Sequence, residues 1–157
     1  MSMQEKELSY IAGFLDGDGC IMAQFVRRKD YIYGFQIRTS IVFYQKESNQ
    51  RILFWFKKKL KSGYIRKRND GMAEYTIVGW EPVKKVLIQV KPFVILKKKQ
   101  VKLCLEVIDF LLKERDFKKI IKKLGKKIDR ISELNYSKKR KNTSQTVLDF
   151  LANIKIP

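Results

Sequence analysis

The residues best suited to chemistry lie near the N-terminus, where Asp16 and Asp18 alternate with Gly17 and Gly19. They follow an apolar stretch, Leu8–Leu15, that is typical of a helix. The helix dipole disfavours carboxylates at a C-terminal helix end by a few tenths to about 1 kcal/mol each. A divalent cation bound there would remove this penalty, and Mg²⁺ prefers oxygen ligands. Taken alone, however, the Asp-Gly-Asp-Gly run is also typical of a simple turn.

Small residues in the same stretch indicate a close helix–helix contact. Gly13 and Gly17 lie four residues apart, with Ala12 and Asp16 beside them. Small side chains at i and i+4 let two helix backbones approach closely. The spacing therefore predicts a contact through Ala12, Gly13, Asp16 and Gly17. If two subunits met there, their two copies of Asp18 would converge and hold a metal that one copy would hold poorly.

The composition narrows the chemistry further. The 157 residues include 35 lysines and arginines, 16 aspartates and glutamates and no histidine, which gives a formal net charge of +19. Without histidine, Ser-His-Asp and Cys-His catalysis and zinc-finger sites are excluded, so catalysis would depend on carboxylates, lysines and a metal. Cys20 and Cys104 are too few for a disulfide framework or a zinc cluster. The positive charge favours a polyanionic partner: DNA, RNA or an acidic membrane surface.

Length and hydrophobicity are those of one folded domain. A hydrophobic fraction of 45% argues against a disordered basic tail, so residues 1–157 are predicted to form one domain with a basic helical C-terminal region, 113–157. No apolar run approaches the roughly 20 residues of a membrane span, and the polar start, Met1–Glu7, is unlike a secretory signal. We therefore expect an intracellular protein, in the cytoplasm, the nucleoid or an organelle, without a membrane partner.

Hydrophobic periodicity predicts the strands. Apolar and polar residues alternate from Cys20 to Arg28 and again from Phe35 to Tyr44, as in two half-buried strands. Asn69-Asp70-Gly71 is a strong turn signal between two shorter strands, Tyr64–Arg68 and Met72–Val78. The sequence therefore predicts two hairpins.

Helices are predicted between and after the hairpins. Ser48 is a candidate N-cap for a helix that stops at Gly63. Further helices are expected from near Pro82 to Lys91, from Lys99 to Leu112, and from Asp116 onward, with Thr143 or Ser144 capping a last helix to Ile154. The order predicts an α+β domain of mixed αββαββα type, with an antiparallel four-stranded sheet and C-terminal helices.

The segment Ile11–Gly19, IAGFLDGDG, resembles the signature of the LAGLIDADG homing endonucleases, with five identical positions. Over most of its length the chain is similar to the single-motif, homodimeric, group I intron-encoded members. The resemblance implies a metal-dependent endonuclease that cuts double-stranded DNA at a long, roughly palindromic site and leaves 3′ overhangs. It also implies Mg²⁺, or another divalent cation such as Mn²⁺, as the cofactor.

The resemblance also assigns roles to particular residues. Asp18 and the neighbouring Gly17 would hold the metal, and Gln45, at the end of the second strand, would help to position water around it. In Pro92–Gln100 the essential lysine would be Lys97, with Lys98 and Lys99 as alternatives of register. Where relatives have an arginine soon after the strand-end glutamine, this chain has Asn49, and Arg51 follows two residues later.

The solvent-facing side of the predicted sheet is rich in arginine and glutamine. A β-ribbon fits the major groove, where arginine pairs with guanine and glutamine with adenine. The candidate contacts on this face and its hairpin loop are Gln24, Arg28, Tyr31, Gln36, Arg38, Arg66, Arg68 and Thr76. The resemblance adds Ser137, Lys138 and Lys141 as contacts to the DNA backbone, which contribute affinity rather than sequence choice.

Two other functions are compatible with the same fold. Some LAGLIDADG relatives are RNA maturases or DNA-binding proteins that do not cut, so intron RNA is a further candidate partner beside double-stranded DNA and a second copy of the chain. Retention of Asp18 and Lys97 favours the nuclease. A ribosomal-type basic protein would explain the charge but not the motif.

Overall fold

A computed structural model describes residues 3–135 and 142–154, in which a helix followed by two strands occurs twice, before four further helices. The helices are α1 (Glu5–Asp18), α2 (Arg51–Leu60), α3 (Trp80–Val90), α4 (Lys98–Lys113), α5 (Phe117–Leu134) and α6 (Ser144–Asn153), and the strands are β1 (Gly19–Arg27), β2 (Phe35–Lys46), β3 (Tyr64–Lys67) and β4 (Met72–Val78). The predicted α+β class and the αββαββ order are confirmed. None of the helices in the described ranges combines the length and apolar character that a membrane crossing requires.

The four strands form one antiparallel sheet in the order β1-β2-β4-β3. On β1, Ile21, Ala23 and Phe25 are buried while Gln24 between them is exposed, which confirms the predicted period of two. The buried face packs against the helices, and Phe43 of β2 contacts Phe14 of α1 and Phe56 of α2. The other face is open and carries the polar side chains, so the register Gln24↔Arg38 and Tyr44↔Glu74 fixes which polar residues are neighbours.

Two predicted boundaries of α2 are wrong. Ser48 does not cap the helix, because residues Glu47–Asn49 form a short 3₁₀ turn and Gln50 occupies the N-cap position. The helix ends at Leu60, and Lys61 takes the left-handed conformation at φ 57°. Gly63 is needed for a different reason, since a Cβ there would collide with the backbone carbonyl of Thr76.

The C-terminal helices lie along the free edge of β1. The side-chain amide of Asn135, just after α5, donates to the carbonyl of Ile21 at 3.0 Å, and that of Asn142 donates to the carbonyl of Phe25 at 3.0 Å. These bonds satisfy outward-facing backbone groups of an edge strand. As predicted, Thr143 caps α6, accepting a hydrogen bond from the backbone N–H of Thr146.

Candidate active site

An open cleft of about 690 Å³ lies where α1 ends. The ends of α1 and α5, the start of β1, the end of β2, the β3–β4 hairpin and the first turn of α4 all contribute to its wall. Its polar lining includes Asp18, Tyr44, Arg68, Lys97, Gln100 and Asn135. The tertiary structure therefore brings the motif aspartate and the candidate lysine, 79 residues apart in the chain, into one concave site.

Asp18 is the last residue of α1 rather than part of a turn, so the simple-turn interpretation of Asp-Gly-Asp-Gly is wrong. Its side chain is exposed, and the last turn of α1 contains no basic residue to balance the negative end of the helix dipole. Gly19 permits the abrupt change from helix to strand, because a Cβ there would lie 2.6 Å from Leu15 Cδ1 and 2.8 Å from the Leu15 carbonyl oxygen. The geometry thus presents one carboxylate to the cleft.

Asp16 plays a part within its own chain. Its carboxylate accepts hydrogen bonds from three successive backbone N–H groups, those of Ile95 at 2.8 Å, Leu96 at 3.1 Å and Lys97 at 3.0 Å. Charge-assisted bonds of this kind are stronger than neutral ones. Asp16 therefore fixes the segment before α4 against the end of α1, although the spacing predicted it in a helix–helix contact.

Lys97 is the residue that this anchoring positions. Its side chain is 4% exposed, and its ammonium donates to the carbonyl oxygen of Asp16 at 3.0 Å. Lys98 and Lys99 are both exposed. Lys99, in the first turn of α4, also lines the cleft. Among the three alternatives of register, Lys97 is therefore the lysine held against the motif.

The remaining predicted residues are placed less centrally. Gln45 lies opposite Ala73 in the sheet, and its side-chain oxygen accepts from the backbone N–H of Lys46 at 2.8 Å. It does not line the cleft, whereas its neighbour Tyr44 does. Asn49 lies in the 3₁₀ turn and Arg51 in the first turn of α2; both are exposed and outside the cleft.

Three cleft residues with thiol, hydroxyl or amide side chains had no role predicted from the sequence: Cys20, Tyr44 and Asn135. Burial raises the pKa of the Cys20 thiol, an effect that the positive charge of Lys97 partly offsets, and burial also raises the pKa of the Tyr44 hydroxyl. Both groups are therefore neutral near pH 7. The period-two pattern does place Cys20 and Tyr44 on the open face of the sheet, but only the folded chain brings Asn135 beside them.

The open face of the sheet carries the predicted arginines together with acidic partners. Arg66 and Arg68 pair with Glu74 at 3.0 and 3.4 Å. Arg28 pairs with Asp30 at 2.9 Å. Such exposed pairs contribute little to stability, so the guanidinium groups remain available to a stronger anion.

Other candidate DNA contacts differ in their accessibility. Gln24 and Tyr31 are exposed, and Gln36 and Arg38 are half-buried. Thr76 is 5% exposed, because it packs between β2 and β3, so it is not presented to a partner. Ser137, Lys138 and Lys141 lie outside the described residues.

The exposed side of α1 agrees with part of the predicted helix–helix contact. Gly13 and Gly17 are exposed, and a Cβ built on either would meet no atom within 4 Å. Ala12, in contrast, is fully buried in the core. The prediction for Ala12 is therefore wrong, because its side chain lies on the side of α1 that packs into the core and is not available to a partner.

Comparison with known proteins agrees with these features. Residues 11–105 match the sequence model of the family described as LAGLIDADG endonuclease. The chain is 34% identical to the DNA endonuclease I-CvuI of Chlorella vulgaris, over 94% of this chain and 91% of that protein. It is 36% identical to the DNA endonuclease I-CreI of Chlamydomonas reinhardtii, over 89% and 85% of the two chains.

A solved structure of I-CvuI in complex with the I-CreI target superposes with a TM-score of 0.89 at 34% identity, covering 94% of each chain. The similarity therefore includes the motif helix, the sheet and the C-terminal helices. On this evidence the chain belongs to the LAGLIDADG endonuclease family.

Proposed function

We propose that this protein is a site-specific endonuclease of double-stranded DNA that acts as a homodimer with a divalent cation. The observation that carries the proposal is an exposed aspartate at the end of α1, beside a buried lysine, in a cleft at the margin of an arginine-rich sheet. Two relatives are DNA endonucleases by name, and I-CvuI has been solved with a DNA target. These relatives support the substrate class.

The proposed homodimer would supply metal ligands that a single chain does not bring together. Within residues 3–135 and 142–154, no three aspartate, glutamate, cysteine or histidine side chains cluster to hold a metal. Gly13 and Gly17 leave an uncovered strip along α1, and pairing two such strips would bring two copies of Asp18 together. A two-fold dimer would read a roughly palindromic site and cut both strands.

The cleft suits a hard cation. The carboxylate of Asp18 and the backbone carbonyl of Gly17 are oxygen donors of the kind that Mg²⁺ and Mn²⁺ bind. A bound cation supplies Lewis acidity toward the scissile phosphate. The ammonium of Lys97 is held beside this position and would stabilise negative charge that develops on the phosphate. Gln45 would orient water by its amide, after release from the Lys46 backbone.

The sheet would provide sequence recognition. Gln24, Gln36 and Arg38 form adjacent cross-strand neighbours on β1 and β2, and Arg66 and Arg68 extend the same face. Their side chains are of the types that read adenine and guanine in the major groove. Acidic partners such as Glu74 would be exchanged for base edges when DNA binds.

Cleavage of a randomised duplex library tests the proposed function directly. With Mg²⁺, we expect the protein to cut one group of related, roughly two-fold symmetric sequences and to leave 3′ overhangs, whereas chelation of the metal should abolish cutting. Sequencing of the cut ends measures both features. If the protein binds DNA but cuts no sequence with Mg²⁺ or Mn²⁺, it is a binding protein or a maturase and the nuclease proposal is wrong.

Replacing Gly13 by leucine tests the homodimer. The new side chain would meet no atom of its own chain, and leucine is favoured over glycine inside a helix by about 0.8 kcal/mol. We therefore expect the monomer to fold at least as stably as wild type. The dimer should weaken by about 100-fold or more, because overpacking a close helix–helix contact costs about 1–3 kcal/mol in each of its two copies. Analytical ultracentrifugation measures the dissociation constant.

Ala152→Leu provides a matched control, because Ala152 is an exposed small residue on α6, away from α1. This variant should dimerise like wild type. A Gly13→Leu protein that stays dimeric and cuts both strands would place the dimer contact elsewhere.

A further inference from the structure

Helix α5 carries a row of exposed lysines that the proposed function does not use. Ile120, Ile121, Leu124, Ile128 and Ile131 form its buried side. The opposite side presents Lys118, Lys119, Lys122, Lys123 and Lys126, all of them exposed. We call these five residues the α5 lysine row. It faces away from the core, so it is separate from the open face of the sheet.

The charges of the α5 lysine row are not balanced within the chain. The ion pairs of α5 involve the later residues, Lys127 with Glu106 and Arg130 with Glu133. No ion pair among the described residues includes a member of the row. On a solvated helix, a glutamate four residues before a lysine is stabilising. In the α5 lysine row, Lys118 and Lys122 have this spacing but carry the same charge, so their interaction is unfavourable.

The position of the row on its helix adds to this excess. Lys118 and Lys119 lie in the first turn, which contains no acidic residue. Positive side chains at a helix N-terminus face the positive end of the dipole. The N-cap residue Asp116 accepts a hydrogen bond from the backbone N–H of Lys118 at 3.0 Å, so the helix terminus is already capped and the lysine side chains are the groups that would attract a phosphate.

The helix that carries the row runs beside the proposed DNA surface. Phe117, at the start of α5, stacks on Tyr33 of the β1–β2 hairpin at 5.2 Å between ring centroids. At the other end, Leu134 and Asn135 line the cleft that contains Asp18. The row itself, from Lys118 to Lys126 on α5, spans about 12 Å, which corresponds to about 3–4 base pairs of duplex.

We propose that the α5 lysine row is an auxiliary binding surface for the phosphate backbone of duplex DNA that lies outside the sheet. Its role is sequence-independent capture, since lysine contacts to phosphates add affinity and salt dependence without reading bases. The proposal goes beyond cleavage at a specific site, and it concerns binding that requires no metal.

The test uses a variant of the full chain in which all five lysines of the row are replaced by glutamine. Its affinity for a random-sequence DNA duplex, with chelator present, is compared with that of wild type. We expect the affinity at moderate salt to fall about 10- to 100-fold. Because each phosphate contact contributes about 0.9 to the slope of log affinity against log salt, the slope should decrease by about 3–4. Glutamine retains helix propensity, and thermal unfolding should show a fold at least as stable as wild type.

A matched variant separates this surface from net charge alone. Lys57, Lys58, Lys61, Lys85 and Lys91 are also exposed, on and after α2 and α3, and their replacement by glutamine makes the same charge change. We expect less than about a threefold loss of affinity for this control, because these lysines would contact no phosphate. Equal losses in the two variants, or no loss in the α5 variant, would overturn the proposal.

Two further outcomes distinguish DNA binding by the row from RNA binding and from the nuclease proposal. If duplex RNA of the same length binds more tightly than DNA and loses more affinity in the α5 variant, the surface is for RNA and our assignment to DNA is wrong. The outcome does not depend on cleavage, so failure of the nuclease proposal would leave a positive binding result intact. If cleavage is found, its rate at saturating target should be unchanged in the α5 variant.

Discussion

Replacing Asp18 by asparagine is expected to reduce the rate of DNA cleavage by at least about 10³-fold, which corresponds to about 4 kcal/mol of activation free energy. The physical reason is the loss of the anionic metal ligand in each subunit, because a metal supplies several kcal/mol of charge stabilisation in phosphoryl chemistry. DNA binding should stay within about threefold of wild type, since the proposed DNA contacts belong to the sheet and not to Asp18. Single-turnover cleavage with Mg²⁺ and binding with chelator present measure the two effects separately.

The same substitution should not damage the fold. Asp18 is exposed at the negative end of the α1 dipole, so removing its charge should raise the free energy of unfolding by a few tenths to about 1 kcal/mol. This combination of a more stable protein with lost activity distinguishes a functional carboxylate from a structural one. Asp149→Asn, on α6, is the control and should cut at the rate of wild type. Cleavage by Asp18→Asn within about tenfold of wild type would remove Asp18 from the mechanism.

Replacing Lys97 by methionine is expected to lower the cleavage rate by about 10²–10³-fold, the usual effect of removing one preorganised donor to a developing negative charge. Methionine is of similar length and suits a site that is 4% exposed. The substitution removes a hydrogen bond from a charged donor to the Asp16 carbonyl, a loss of about 1.5–3 kcal/mol, which the relief of a buried charge from desolvation offsets. The free energy of unfolding should therefore change little. Single-turnover cleavage and chemical denaturation measure the two quantities.

The neighbouring lysines provide the controls for Lys97. Lys98→Met changes the next residue, which is exposed, and should alter the rate by less than about twofold because its ammonium is solvated. Lys99→Met removes a charge from the lining of the cleft and should have an intermediate effect. If the Lys98 or Lys99 variant lost more activity than the Lys97 variant, the catalytic lysine would be assigned to the wrong position.

The sequence predicted the parts of the fold that depend on local patterns. Strand periodicity, the Asn69-Asp70-Gly71 turn and the Thr143 cap involve residues within a few positions of one another, and the structure contains all three. The end of α2 was predicted at Gly63, but the helix ends three residues earlier, at Leu60. Lys61 adopts the left-handed conformation directly after the helix, and Gly63, two residues later, combines a positive φ of 90° with close packing against the Thr76 carbonyl.

Within the motif, the sequence by itself determined that two carboxylates end a helix at the start of a strand, because hydrophobic periodicity and small residues are local properties. Only the tertiary structure gave the two aspartates different environments. Asp16 is turned toward backbone N–H groups about 80 residues later, while Asp18 remains exposed in the cleft. The direction of each side chain depends on how α1 is rotated against the sheet, which packing of the whole core decides. The same rotation buries Ala12, leaves Gly13 bare and holds Lys97 against the motif.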